Sequence, residues 1–367
     1  MAKQAQINDN ILKVLYLTGP LTSKELILSM QGLRKRTFFN TAMATMKKYS
    51  IEVDYLTLKS WGRMREIVQA IKALIVRDYY DIILTTTGTG LFLALVRFLL
   101  RWKKPYLFLI EWQVERNPIL DLFLIPIFRN IDKIICVSSV QEKSFAKTLN
   151  VSINRIRYVP LGIDIDFFRP ETDIISASDI ILCVGDADRD DETLFKAVRN
   201  LPVKLIRVSD EFKVFQFYKV LLKDCLKPPI LKAKFELLHA VSDLEMRELY
   251  AKSTLIIVPI LKHSNQPAGL TVLLEAMAMG KPVIVTKGLI TEDYVINGDT
   301  GIIINPDDAN ELKRMILELL DEDIKRKKLG NNARKFVEDN FTITKSTEEL
   351  ANILMQNACR NKKSILL

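Results

Sequence analysis

The feature that most constrains this chain is a rhythm. Short apolar runs rich in Val, Ile and Leu alternate with longer stretches of helical periodicity, and the alternation occurs twice. In the first half the runs are residues 13–18 (KVLYLT), 52–56, 82–86, 106–110 and 133–138. Residues 23–48 (broken near Gly32), 61–77, 90–102 and 141–149 between them read as helices. A strand that follows a strand through a helix runs parallel to it and crosses over right-handed. The runs are apolar throughout, as expected when helices cover both faces of a sheet.

Residues 159–170 (VPLGIDIDFFRP) interrupt the rhythm with two prolines and a glycine and read as a hinge. Strand runs then resume at 180–184, 204–208, 235–238, 254–259, 282–286 and 301–304. Helices are expected at 191–199, 243–252 (capped by Asp243), 270–279 and 309–320. At 367 residues the chain is long for one core, which fits two domains. The expectation is an α/β chain of two Rossmann-like domains, 1–168 and 169–345, followed by a helix and frayed tail over 346–367. Ligands of open α/β sheets bind outside the carboxyl ends of the strands.

Charge sharpens the division. Residues 1–168 hold 24 Lys+Arg against 14 Asp+Glu, a net of +10, and the remainder holds 29 against 30, a net of −1. The basic half is thus expected to meet an anionic surface. Four scattered cysteines (Cys136, Cys183, Cys225, Cys359) form no C-x-x-C pair, which fits a reduced, cytoplasmic setting without a cysteine metal cluster. The first ten residues lack a signal-peptide core. Residues 91–100 fall far short of the ~20 apolar residues needed to cross a bilayer.

The loop after the 254–259 run leads into Ala268-Gly269-Leu270-Thr271, where a helix begins. A helix start offers unpaired N–H groups and a positive dipole end, suited to a diphosphate. Thr271 adds a hydroxyl. Glu275, four residues on and on the same face, is placed to accept two hydrogen bonds from a ribose diol. By spacing alone the same residues also describe an ordinary helix cap with a solvent-facing glutamate.

Residues 269–285 (GLTVLLEAMAMGKPVIV) resemble the donor-binding signature of retaining GT-B glycosyltransferases of family 4. Residues 131–139 (IDKIICVSS), 156–170 (IRYVPLGIDIDFFRP) and 294–307 (YVINGDTGIIINPD) resemble other segments of that family, in its order. The resemblance implies a GT-B fold, two domains facing a cleft, with the last helix crossing back to the first. It implies transfer of a hexose from a nucleoside-diphosphate sugar to a glycan or lipid-linked acceptor, with retention and with no metal or other cofactor. Glu275 is the expected ribose ligand, and the N–H groups of Gly269, Leu270 and Thr271 hold the distal phosphate and sugar.

Two positions depart from the family. Pro267 stands where its first motif glutamate belongs, leaving Gln266 as a sugar contact. Gly185 is followed by acidic Asp186 where the family often has Arg, so Arg189 becomes the expected phosphate ligand and catalytic cation; a loop ion pair is the alternative. Asp186-x-Asp188 is read as loop punctuation before a helix. Gly19 would let donor phosphates approach the first domain. Glu111, at the end of a first-half strand, is expected to orient the acceptor, serve as a base, or simply be structural. His263 and His239 are donor-site candidates whose roles are otherwise structural.

The basic clusters Arg34-Lys35-Arg36, Lys47-Lys48 and 97–104 (RFLLRWKK) adjoin apolar residues. Each basic side chain near an anionic membrane contributes ~1 kcal/mol, so peripheral contact with the inner face of a membrane is expected. Core helices with solvated basic edges are the alternative. No nucleic-acid motif accompanies the charge. A same-fold epimerase or hydrolase, or a non-catalytic subunit, are the competing functions.

Overall fold

The computed structural model describes residues 11–19, 34–58, 62–111, 124–171, 179–210 and 232–363. The chain divides into two compact units. Unit 1 contains the first strand, the chain from Thr37 to Gly162, and the C-terminal segment from Ile343. Unit 2 runs from Ile163 to Thr342 and includes Arg34, Lys35 and Arg36.

Unit 1 is built from β1 (Leu12–Thr18), α1 (Phe38–Thr45), β2 (Ile51–Thr57), α2 (Arg63–Val76), β3 (Ile82–Thr86), α3 (Thr87–Leu100), β4 (Tyr106–Ile110), β5 (Lys133–Cys136), α4 (Ser139–Thr148) and β6 (Ile156–Tyr158). Its sheet is parallel, in the order β2-β1-β3-β4-β5-β6. β3 and β4 bury Ile83, Leu107 and Leu109 against Ala70, Ala73, Leu93 and Ala94 of the covering helices.

Unit 2 comprises β7 (Ile180–Val184), α5 (Asp191–Val198), β8 (Lys204–Val208), β9 (Lys234–Leu238), α6 (Asp243–Lys252), β10 (Leu255–Val258), α7 (Leu270–Ala278), β11 (Val283–Thr286), α8 (Thr291–Tyr294), β12 (Ile302–Ile304), α9 (Ala309–Asp321) and α10 (Asp323–Asn340). The sheet runs β12-β11-β10-β7-β8-β9, all parallel. Read from β9, this is the 3-2-1-4-5-6 order of dinucleotide-binding sheets, and it switches direction between β7 and β10.

The last helix, α11 (Ile343–Lys363), belongs with unit 1 and packs on α1. A Cβ added to Gly162 would lie 2.7 Å from Ile343 Cα, so the chain ends of the unit touch only because that residue is glycine. The unit junction after Gly162 precedes the expected boundary at Phe168. Phe167 and Phe168 pack with unit 2, where Phe168 meets Tyr250 edge-on. Ser242, not Asp243, caps α6: its hydroxyl accepts from Glu245 N–H, and the Glu245 carboxylate accepts from Ser242 N–H, two orphan donors satisfied reciprocally. Most of the expected 23–48 helix lies outside the described residues, and within them a helix begins only at Phe38.

The basic clusters differ from expectation. Arg34 pairs with Asp243, Lys35 with Glu275, and Arg36 with Asp164 and Asp166, all inside unit 2. Arg97 is buried against Asp132. Long basic side chains lay their aliphatic stems along the protein while their charged heads meet carboxylates, and these four charges are therefore paired within the fold. Lys47, Lys48, Arg101, Lys103 and Lys104 remain exposed. Among the described residues no helix is long and apolar enough to cross a membrane.

Candidate functional site

The switch point of unit 2 is where a ligand is expected, outside the carboxyl ends of β7 and β10. β7 ends in Gly185, which adopts a left-handed φ of 92° and turns the chain. Arg189 then folds back, donating through Nε to Val184 O (2.9 Å) and through Nη1 to Ala187 O (2.8 Å). Its backbone bridges to Ile260, just past β10. Gly269, with φ 79°, caps α7.

Two glycines make room for the guanidinium. A Cβ at Gly185 would lie 2.7 Å from Arg189 Nη2, and one at Gly269 would lie 3.4 Å from Nη1 and 2.4 Å from Val258 Cγ1. Arg189 is 9% exposed, and burial pulls its pKa down from the usual arginine value. Among the described residues it forms no ion pair, so the loop-salt-bridge alternative does not hold. The positive end of α7 lies beside this cation. Two positive elements placed together favour an anion.

Among the described residues the N–H groups of Gly269 and Thr271 have no acceptor, while Leu270 N–H points to Pro267 O at 3.3 Å. Of the three expected donors, Leu270 is thus already engaged. Thr271 is exposed. Gln266 donates its amide to Asp188 Oδ2 (2.9 Å), and Ser264 Oγ donates to the same oxygen (2.8 Å). Gln266 therefore holds the loop's shape in this state. Asp188 and Asp186 serve separate loops, Asp186 accepting from Ser209 Oγ and Asp210 N–H. His239 and His263 are both exposed, each in a loop following the carboxyl end of a strand.

Glu275 is 2% exposed, so the solvent-facing alternative is excluded. Its Oε2 accepts from Tyr250 O–H at 2.9 Å, and its Oε1 accepts from Lys35 Nζ. Burial, then the Glu275 charge, pushes the Tyr250 hydroxyl well above its ordinary value. Burial pulls Lys35 down, but the charge and hydrogen bond of Glu275 and the charge of Asp243 outweigh it, and Lys35 is raised overall. Lys35 also lies over the Phe168 ring, 5.7 Å from its centroid. Lys35 and Tyr250 were not legible as site residues. Tyr250 belongs to no motif and Lys35 only to a basic cluster, and only the fold brings them to α7.

In unit 1, Glu111 stands at the carboxyl end of β4, as expected, and is 2% exposed. Thr87 Oγ1, from the first turn of α3, donates to its Oε2 at 2.8 Å. Gly19 follows β1 on the same sheet edge. Gln69 Nε2 donates to Thr18 O (3.0 Å), and its Oε1 accepts from Thr89 Oγ1 (2.8 Å), tying β1 to the start of α3. Gln69 escaped the sequence reading because one glutamine in a helical stretch carries no signal.

A family model for the glycosyl transferases group 1 matches residues 219–336, and one for glycosyltransferase family 4 matches residues 45–167. The MMP alpha-(1->4)-mannosyltransferase of Mycolicibacterium hassiacum is 27% identical over 219 residues, which are 56% of this chain and 50% of that protein. The matches span 24%, 55% and 50% of the first three curated relatives. Sucrose-phosphate synthase from Thermosynechococcus elongatus aligns with a TM-score of 0.74 at 18% identity, over 95% of this chain and 100% of that one. HepE of Anabaena, in complex with UDP and glucose, aligns with a TM-score of 0.68 at 19% identity, over 94% and 100%. Both likenesses are of fold. With two six-stranded parallel sheets and both family models in sequence order, the chain belongs to glycosyltransferase family 4 and has the GT-B fold of two Rossmann-like domains.

Proposed function

We propose that this protein transfers a hexose from a nucleoside-diphosphate sugar to a glycan or lipid-linked acceptor, retaining the anomeric configuration. One observation carries the reading: Arg189, buried and without a carboxylate partner among the described residues, lies between Gly185 and Gly269, the cap of α7. That arrangement suits a diphosphate. As the sugar–phosphate bond breaks, negative charge grows on the leaving oxygen. A preorganised guanidinium and helix end stabilise that charge without reorganising. The acceptor hydroxyl attacks from the face the diphosphate leaves, and its proton passes to the departing phosphate oxygen. No protein nucleophile and no metal take part in this reading.

Glu275 would bind the ribose diol, sharing its Oε1 with Lys35 or displacing it. Glu111, oriented by Thr87, is assigned to the acceptor hydroxyl. HepE is described in complex with UDP-glucose, and a sugar nucleotide is the matching donor class here. The basic, apolar end of α3 is assigned to an anionic membrane surface that presents a lipid-linked acceptor. Phe98, Leu99 and Leu100 are exposed there beside Arg101, Lys103 and Lys104.

The test is a thermal-shift screen against UDP-, GDP- and other nucleotide sugars, followed by NMR of the product linkage. Stabilisation by a nucleotide sugar and an axial-to-axial outcome are expected. Donor consumption that needs no acceptor would identify an epimerase or hydrolase. Donor binding without turnover would identify a non-catalytic subunit.

A further inference from the structure

A cavity of about 370 Å³ opens in unit 1, where the last turn of α3 meets the segments leading into β4, β5 and β6. Its lining residues all precede those strands, so it lies at the amino-terminal edge of the sheet, opposite the edge that carries Gly19 and Glu111. The volume falls within the roughly 300–1,000 Å³ typical of small-molecule sites.

Five cationic side chains and one carboxylate line it. Arg97 and Asp132 neutralise each other, and Arg97 spends its other donors on the carbonyls of Trp102 (3.2 Å), Asn130 (3.1 Å) and Lys103 (3.1 Å). Arg155 gives one N–H to Arg129 O at 2.7 Å. Among the described residues, Arg101, Lys103, Arg129 and Arg155 have no carboxylate partner. The indole Nε1 of Trp102, also in the lining, is buried with no hydrogen-bond partner. Crowded cations repel one another, and a buried donor without an acceptor is costly. A bound anion relieves the repulsion.

We infer that this pocket is a second anion site, which takes a phosphate group. Four uncompensated cations match a dianion better than a carboxylate, and guanidinium forks match phosphate oxygens. Phe98 supplies an apolar wall for the ligand's carrier. A soluble phosphate ester and a phospholipid headgroup share this chemistry. The inference stands whether or not the donor assignment in unit 2 holds.

Trp61→Phe/Trp112→Phe leaves Trp102 as the sole tryptophan and a local reporter. In that background, titration with inorganic pyrophosphate should change Trp102 fluorescence saturably. Lys103→Glu/Arg129→Glu should raise the midpoint at least tenfold, whereas Arg189→Ala should leave it unchanged. Lys103→Gln, at an exposed side chain, should raise it severalfold with the fold intact. Vesicles of phosphatidic acid in phosphatidylcholine form the second arm, against phosphatidylcholine alone. A response to pyrophosphate only assigns a soluble ligand, and a response to acidic vesicles only assigns a headgroup. Silence in both arms, or a response unaltered in the folded charge-reversed and Lys103→Gln variants, overturns the inference.

Discussion

Lys35 Nζ donates to Glu275 Oε1 across 240 residues of sequence, while Tyr250 O–H occupies the other carboxylate oxygen. A carboxylate this buried persists because it is paired and hydrogen-bonded. A ribose diol at Glu275 must therefore share or replace the contacts of Lys35. Glu275→Gln should weaken nucleotide-sugar binding at least tenfold, since hydrogen bonds to a charged group contribute about 1.5–3 kcal/mol each. Calorimetry showing unchanged donor affinity would remove Glu275 from the site.

In the proposed reaction, Arg189 is the main positive charge offered to the leaving diphosphate. Arg189→Ala should lower kcat by about 10²–10³, the cost typical of losing one preorganised charge-stabilising donor. Arg189→Lys should recover little, because an ammonium cannot reproduce both the fork and the two carbonyl contacts that aim it. Steady-state kinetics at saturating donor separates this loss from a simple loss of binding. A kcat within threefold of the parent would show that Arg189 is structural.

Gly269→Ala should destabilise unit 2. The φ of 79° costs an L-residue about 1–2 kcal/mol, and the added methyl would stand 2.4 Å from Val258 Cγ1. Each kcal/mol corresponds to a Tm change of roughly 2–4 °C at this domain size. A melting curve indistinguishable from the parent's would mean that the start of α7 yields easily.

Lys281 gives an alkaline signature. Its Nζ donates to Ala251 O (2.6 Å) and Ser253 O (3.0 Å), and burial lowers its pKa to about 8. The unfolded chain holds that proton up to about pH 10.4. Between the two values the unfolded state binds more protons, so stability rises as pH rises from about 8 to 10. Below pH 8 both states are protonated and the burial penalty is fully present. Lys281→Met should abolish this rise in urea melts across that range, and a rise that persists would assign it to another group.

Asp164 acts at the opposite end of the scale. Burial raises its pKa, but the hydrogen bonds and charge of Arg36 outweigh burial and hold it below its usual value of 3.8. A lowered folded pKa stabilises above the unfolded value and loses that stabilisation as pH falls through the folded one. Asp164→Asn should therefore show a shallower acid unfolding limb below about pH 4 when stability is followed by circular dichroism.

Much of the fold was legible because strand and helix patterns are local. The β7 run IILCV and the α7 signature can each be read within ten residues. Helix α10 was not legible. Only Leu329, Gly330, Ala333 and Val337 are buried along its 18 residues, a stripe too narrow to stand out from its many charges. Gly330 is there because α10 passes so close to Gly280 that a Cβ would meet its carbonyl at 2.0 Å.

By itself, the sequence determined two parallel α/β sheets and placed Gly269, Thr271 and Glu275 at the start and along one face of a helix, because periodicity and spacing belong to contiguous chain. Only the tertiary structure decided which charges face one another. It buried Arg189 between two glycines, set Lys35 on Glu275, and turned Arg34, Arg36 and Arg97 toward carboxylates. It also left Arg101, Lys103, Arg129 and Arg155 uncompensated at a sheet edge. The net charge of a segment counts its cations, but Coulomb energy depends on distance and burial, which are settled only when remote segments pack.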